Sequence, residues 1–311
     1  MKILIPGGSG QIGMMLERAF RSSGDEVVVL SRGAADESKR WDGKSLGSWT
    51  KQIDDADVVI NLAGRTVNCR YTEENLKQMM DSRVDSTRVI GEAISNSKTP
   101  PKVWLQMSTA TIYAHRFDAA NDEATGIIGG SEPDAPAYWS RSIDIAKAWE
   151  LELDQAETPE TRKVALRTAM VMSPDNDGVF DVLCGLTRKW LGGRIASGKQ
   201  YVSWIHEQDF VNAIRFLIER DSISGPVNLA ASGPLPQAEF QSVLRKVLGV
   251  RVGLPATKWM AEIGAVFMKT DTELILKSRR VVPGRLLEAG FEFQFSAWEK
   301  AAEDLVSRTD K

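Results

Sequence analysis

Residues 7–13 read GGSGQIG, a G-x-x-G-x-x-G pattern between an apolar run and an amphipathic one. Chemistry at such a loop is the binding of phosphate. Gly7 permits the tight turn, Gly10 lets backbone approach a pyrophosphate, and Gly13 allows close packing of helix on strand. Gly8, Ser9, Gln11 and Ile12 complete the loop, where the N–H groups of a helix N-terminus face an anion. About 20 residues on, the end of the second strand should carry Asp or Glu if the cofactor has a free ribose 2′-OH. That position reads Ser31-Arg32 instead, and Asp25 and Glu26 lie before the strand, at its wrong end. A guanidinium pairs with a 2′-phosphate and a serine hydroxyl can donate to it, so NADP(H) is expected rather than NAD(H). A solvated surface arginine is the plainer alternative.

The elements that must hold this loop are legible as hydrophobic periods. KILIP predicts a buried strand, and Ile12, Met15, Leu16, Ala19 and Phe20 a helical stripe that Gly24 stops. EVVVL and DVVINLAG predict further strands, residues 73–97 a long helix, KVWLQMS a strand, residues 137–157 a helix and KVALRTAMVM a strand. Strands alternating with helices at this spacing imply right-handed crossovers and a doubly wound parallel sheet, an α/β Rossmann-type fold. VSWI is expected to return to that sheet before the helix in HEQDFVNAIRFLIER, and PVNLA to add a short strand. Residues 1–173 with 203–230 are read as the dinucleotide-binding domain. Residues 174–202 with 231–311 are read as a smaller, mostly helical substrate lobe.

Composition restricts the partners. Net charge is −3, from 39 basic and 42 acidic residues, which gives no general attraction to nucleic acid or anionic membrane. Cys69 and Cys184 are too few for a disulfide framework, and with only His115 and His206 no metal centre is expected. MKILIPGG is not expected to act as a signal peptide, and the apolar stretch at 259–269 is interrupted by Glu262. A cytoplasmic protein with a small-molecule substrate is expected. No residue pattern specifies a protein partner or a homo-oligomer.

Together GGSGQIG, NLAG (61–64), STATIY (108–113) and SWIHEQD (203–209) resemble the extended short-chain dehydrogenase/reductase superfamily. RWD at 40–42, SRVDSTR at 82–88 and VVPGRLLEAGFEFQF at 281–295 narrow the resemblance to its atypical, nucleoside-diphosphate-sugar epimerase-like members. The resemblance implies that Leu62, Ala63 and Gly64 line the adenine and ribose side. It also implies that Arg83 reaches cofactor phosphate or ribose, and that Val171 passes close to the nicotinamide. Ser108 would lie on the cofactor side. Thr109 would hydrogen-bond a substrate carbonyl or hydroxyl, Tyr113 would face the cleft, and Glu123 would stand beside the substrate loop. A structural threonine and solvated Arg83 and Glu123 are the alternatives from residue chemistry alone.

Active members of the superfamily pair a tyrosine with a lysine four residues on, on the same helical face. Here Tyr138 is followed at that spacing by Ser142. An unassisted tyrosine, with pKa near about 10, is ionised to roughly one part in a thousand at pH 7. Lys147 lies about 180° around the helix, and Arg141 is a rigid fork rather than a compact ammonium. Either the pair is damaged, or Tyr138 precedes the helix and the motif is absent. In SWIHEQD, Trp204 and His206 are expected to pack at the core and Asp209 to cap or orient the next helix. Lys277, Arg279, Arg280 and Arg285 form a basic cluster that either meets an anionic substrate or is a solvated face.

Two functions fit these residues. One is an NADP(H)-binding oxidoreductase or epimerase-like enzyme acting on a small carbonyl or nucleotide-sugar-like substrate, with Thr109, Tyr113 and Tyr138 as candidate catalytic residues. The other is a non-catalytic NADP(H)-binding redox sensor that signals to a protein partner. The segments that would form the cleft favour the enzyme, and the absence of a lysine at 142 favours the sensor.

Overall fold

A computed structural model describes residues 1–133, 135–267 and 271–309. β1 (Lys2–Pro6) passes through the glycine loop into α1 (Gln11–Ser22), followed by β2 (Glu26–Leu30), β3 (Val58–Asn61) and α2 (Glu73–Ser95). Next come β4 (Val103–Thr109), α3 (Ser140–Gln155), β5 (Arg162–Thr168), β6 (Met170–Met172) and α4 (Val179–Arg188). β7 (Tyr201–Val202), β8 (Trp204–His206), α5 (Glu207–Glu219), β9 (Gly225–Leu229) and β10 (Leu235–Pro236) follow. The chain then forms α6 (Gln237–Val247), α7 (Lys258–Phe267), α8 (Glu273–Leu276), α9 (Gly284–Glu288) and α10 (Trp298–Thr309).

Six strands form one parallel sheet in the order β2-β1-β3-β4-β5-β9. Every residue of β3 is buried, as is nearly all of β1, because helices cover both faces and leave no polar side to alternate. On one face Ile3, Ile5, Ile60 and Leu105 pack with Leu16 and Phe20 of α1 and Phe210 and Ile214 of α5. On the other, Leu4, Val59 and Trp104 meet Val89 and Ile90 of α2 and the pair Trp41 and Trp49. Strand order reverses between β1 and β3, and in open α/β sheets the C-terminal ends of the strands at such a point, here beside the glycine loop, are where ligands bind.

Two expectations are corrected. Residues 204–206 do not rejoin the main sheet: β8 pairs in parallel with β6, Met170 against Trp204 and Val171 against Ile205. After β5 the N–H of Ala169 goes to the carbonyl of Leu229, and the chain beyond leaves the sheet to pair with β8. The helix expected from residue 137 starts at Ser140, after a 3₁₀ turn over Ala137–Trp139, so Tyr138 precedes it.

The later helices have a core of their own. Phe180 of α4, Phe240 and Leu244 of α6 and Trp298 and Leu305 of α10 gather around Trp204. Trp298 stacks on Phe240 at 4.1 Å and donates its indole N–H to the Phe240 carbonyl. Residues 281–295 return to the first unit, where Leu286 and Phe291 join the core beneath the sheet. Among the described residues no helix is long and apolar enough to cross a membrane. Met268 and Lys269, at the end of the apolar stretch noted above, lie outside the described residues.

Candidate functional site

The loop is shaped by what its glycines exclude. Gly7 has φ +73°, and a Cβ there would stand 2.6 Å from Ala63 Cα. A Cβ on Gly13 would stand 2.1 Å from the carbonyl oxygen of Gly8. Gly13 therefore packs against the loop itself rather than only against the strand. Around Gly10 a Cβ would meet nothing within 4 Å. Gly10 is also the N-cap of α1, with no side-chain cap and no acidic residue in the first turn. Uncapped N–H groups facing open space and free of carboxylate are a fit cradle for a pyrophosphate. Ser9 is exposed, and the Gln11 side chain lies against Gly178 at the N-terminus of α4.

At the end of β2, Ser31 pairs backbone with the 39–41 segment, and Arg32 is exposed with no hydrogen-bond or ionic partner among the described residues. Trp41 anchors this turn in the core, and Asp42 caps the N–H groups of Lys44 and Ser45. Leu62, Ala63 and Gly64 form the opposite wall. Asn61, fully buried, holds them: its amide donates to Gln106 at 2.9 Å and its oxygen accepts the N–H of Ala63 at 3.0 Å.

Arg83 is placed beneath that wall. Its guanidinium donates to the carbonyls of Met79 and Arg65 and lies 4.9 Å over the Trp149 ring. Burial brings its pKa down to about 10. These contacts brace the 62–65 loop from below, a role that residue type on a helix does not reveal. Val171 lies on β6 just past the end of β5, partly buried against the main core.

The substrate-side residues divide. Thr109, at the C-terminal end of β4, is partly exposed; its Oγ1 accepts the N–H of Thr111 at 3.1 Å, which leaves its own proton available to donate. Tyr113 is buried at 2% exposure and does not face the cleft. Its hydroxyl donates to Asn228 Oδ1 and accepts from Arg167 Nη1, each at 2.9 Å. Burial raises its pKa. Ser108 is equally committed, donating to Glu150 at 2.6 Å, and Glu150 forms a bidentate pair with Arg167. Glu123 accepts the N–H groups of Asn228 and Arg285, and burial raises its pKa. Ser108, Tyr113 and Glu123 thus join Glu150, Arg167 and Asn228 in a buried network tying β4, β5 and β9 together. Neither Glu150 nor Asn228 carried a motif that would have singled it out.

Tyr138 is 43% exposed, and its hydroxyl lies 3.0 Å from Thr272 Oγ1. It lines a cavity of ≈ 410 Å³ with Arg70, Tyr71, Arg141, Asp271 and Thr272, among others. Ser142 is buried; its hydroxyl stands 2.7 Å from Glu273 Oε1 and 3.0 Å from the Trp139 carbonyl. The basic cluster at 277–285 is tied into the protein rather than fully solvated, with Lys277 and Arg279 facing Glu273. Lys277 and Arg279 bond Thr111, Arg280 bonds the carbonyls of Phe117 and Asp118, and Arg285 those of Ser224 and Pro226. In SWIHEQD the helix cap is His206, whose Nδ1 accepts the N–H of Gln208. Asp209 instead accepts the N–H groups of Gln294 and Phe295.

Comparison with known proteins bears on the family and the fold. The model of the NAD dependent epimerase/dehydratase family matches residues 3–230, and a domain of unknown function, DUF1731, matches 256–305. An epimerase family protein of Staphylococcus aureus (strain MW2) is 30% identical over 308 residues, 97% of this chain and 98% of that protein. A human epimerase family protein crystallised with NADPH superposes with a TM-score of 0.84 at 25% identity, covering 99% of each chain. A nucleoside-diphosphate sugar epimerase of Corynebacterium glutamicum shares the fold, with a TM-score of 0.76 at 24% identity, over 98% of this chain and 58% of that one. With its glycine loop, its parallel sheet and its C-terminal segment all matched, the chain belongs to the NAD dependent epimerase/dehydratase family.

Proposed function

We propose that this protein is an NADP(H)-dependent oxidoreductase or epimerase-like enzyme acting on a small carbonyl or nucleotide-sugar-like substrate. The observation that carries the cofactor choice is Arg32, exposed and unpaired among the described residues at the C-terminal end of β2, where a carboxylate would select NAD(H). That a human relative was crystallised with NADPH supports it. The Gly7–Gly13 loop and the N-terminus of α1 would hold the pyrophosphate, Ser31 and Arg32 the 2′-phosphate, and Leu62 to Gly64 the adenosine side. When bound, the cofactor supplies or accepts hydride.

The chain's own groups then orient the substrate. Thr109 presents a proton to a carbonyl oxygen, and Tyr138 brings a hydroxyl to the wall of the cavity it shares with Thr272.

The test is a titration with NADPH and with NADH, read by energy transfer from tryptophan to the reduced nicotinamide, on wild type and Arg32→Ala. Loss of one charge-assisted contact should weaken NADPH about ten- to a hundredfold and leave NADH unchanged. Equal weakening of both would remove the assignment. Ser142, occupied by Glu273 where a lysine would be needed, favours the second reading, a redox sensor. Carbonyl-dependent oxidation of NADPH would exclude that reading, and a partner whose affinity follows cofactor oxidation state would establish it.

A further inference from the structure

Residues 273–279 bring three charges, those of Glu273, Lys277 and Arg279, into the protein beside the end of β4. Lys277 Nζ donates to the carbonyl of Thr111 at 2.8 Å, and Arg279 Nε donates to Thr111 Oγ1 at 3.0 Å. Thr111 in turn donates its N–H to Thr109 Oγ1. The turn that carries Thr109 is therefore gripped from the C-terminal side at both its carbonyl and its hydroxyl.

The same lysine faces the N-terminus of α3. Its Nζ lies 3.6 Å from Glu273 Oε1, and that oxygen accepts the hydroxyl of Ser142 at 2.7 Å. The neighbouring Thr272 bonds Tyr138. A cavity of ≈ 30 Å³ bounded by Lys277, Glu132, Trp139 and Ser140 has room for a water beside the ammonium.

We propose that Lys277 supplies from the C-terminal segment the cation that α3 lacks at position 142. It is a positioning residue: it sets Thr109 through Thr111 and neutralises Glu273 beside Ser142 and Tyr138. Burial raises the pKa of Glu273, and two cations oppose that shift: Arg279, with Nη2 at 4.0 Å from Oε1, and Lys277, with Nζ at 3.6 Å and the only one of the two with its ammonium also on the Thr111 carbonyl. A purely apolar lysine stem would not need its nitrogen shared between Thr111 and Glu273.

Burial lowers the pKa of Lys277 to about 8, so its charge changes within the working range of most assays. The groups facing it are Glu273 and Arg279 from its own segment and Glu132 from the loop before α3. His115 is tied to the adjacent Ser278, and Tyr71 and Asp271 act on Glu273.

The inference rests on the NADP(H) reading above, and one experiment separates the two. Full-length wild type, Lys277→Arg, Lys277→Met and Ser142→Lys/Lys277→Met are each titrated with NADPH. The fluorescence of the bound nicotinamide is then followed with pH, together with carbonyl-dependent NADPH oxidation. Wild type should show a step near pH 8 that is absent from Lys277→Met and from Lys277→Arg, whose guanidinium does not titrate there. Lys277→Met should keep its affinity for NADPH and lose about a hundredfold in kcat with little change in KM, the cost of a misplaced contact group. Ser142→Lys should restore most of that loss by returning a cation to Glu273.

An unchanged step in Lys277→Met overturns the inference. If that variant fails to fold, an unchanged step in Lys277→Arg overturns it equally. Wild type that binds no NADPH overturns the cofactor reading and this inference with it, whereas normal binding with an unaltered step overturns the inference alone.

Discussion

Replacing Tyr113 with phenylalanine separates a structural hydroxyl from a catalytic one. The ring is kept, so packing and the 5.1 Å cation–π contact with Arg167 survive. Two hydrogen bonds of 2.9 Å are lost, one from a charged guanidinium and one to the neutral amide of Asn228. A bond to a charged group contributes about 1.5–3 kcal/mol and a neutral one about 0.5–1.5, so the loss should be about 2–4.5 kcal/mol. With an unfolding entropy of about 2.1 cal/mol/K per residue, 311 residues give about 0.65 kcal/mol/K and a fall in Tm of about 3–7 °C. Differential scanning calorimetry of the two proteins, with and without NADPH, measures it. NADPH affinity and any carbonyl-dependent oxidation of NADPH should change little, because the hydroxyl does not reach the cleft. A phenylalanine variant with wild-type Tm but abolished turnover would refute the placement of Tyr113 in the buried network.

Gly13→Ala puts a methyl group 2.1 Å from the Gly8 carbonyl, and backbone cannot yield as a flexible side chain does. NADPH binding should be lost while circular dichroism still reports a folded α/β protein. His206 is buried and neutral, with its pKa lowered by that burial despite Asp304 at 3.0 Å. Between its folded pKa and the unfolded value of about 6.5 the unfolded chain binds more protons, so its contribution to stability is complete above that value and is lost as pH falls. His206→Asn, which keeps a cap without titrating, should flatten this acid limb in denaturant midpoints measured against pH. Arg83→Met should loosen the 62–65 loop and weaken NADPH and NADH alike, unlike Arg32→Ala, since Arg83 bonds the wall and not the 2′-phosphate position.

The sequence alone determined the parallel sheet and the glycine loop, and it singled out Ser31-Arg32 as the proposed ribose-side pair, because each is local. Buried strands announce themselves as continuous apolar runs, helices as a 3.6-residue stripe, and the loop as glycines at fixed spacing between the two. Tertiary structure decided which polar side chains face the cleft. Tyr113 and Glu123 sit in plausible positions along the chain, yet both turn toward Asn228, more than a hundred residues away, and are held there. Where β8 pairs depended on the turn of the chain at Ala169, and the 204–206 run reads the same in either sheet. Ser142 looked like a lysine simply missing. Only the fold shows Glu273 on its hydroxyl and Lys277 behind that carboxylate, 131 and 135 residues further along. No period or spacing encodes such a meeting, since it depends on where the C-terminal segment comes to rest on the sheet.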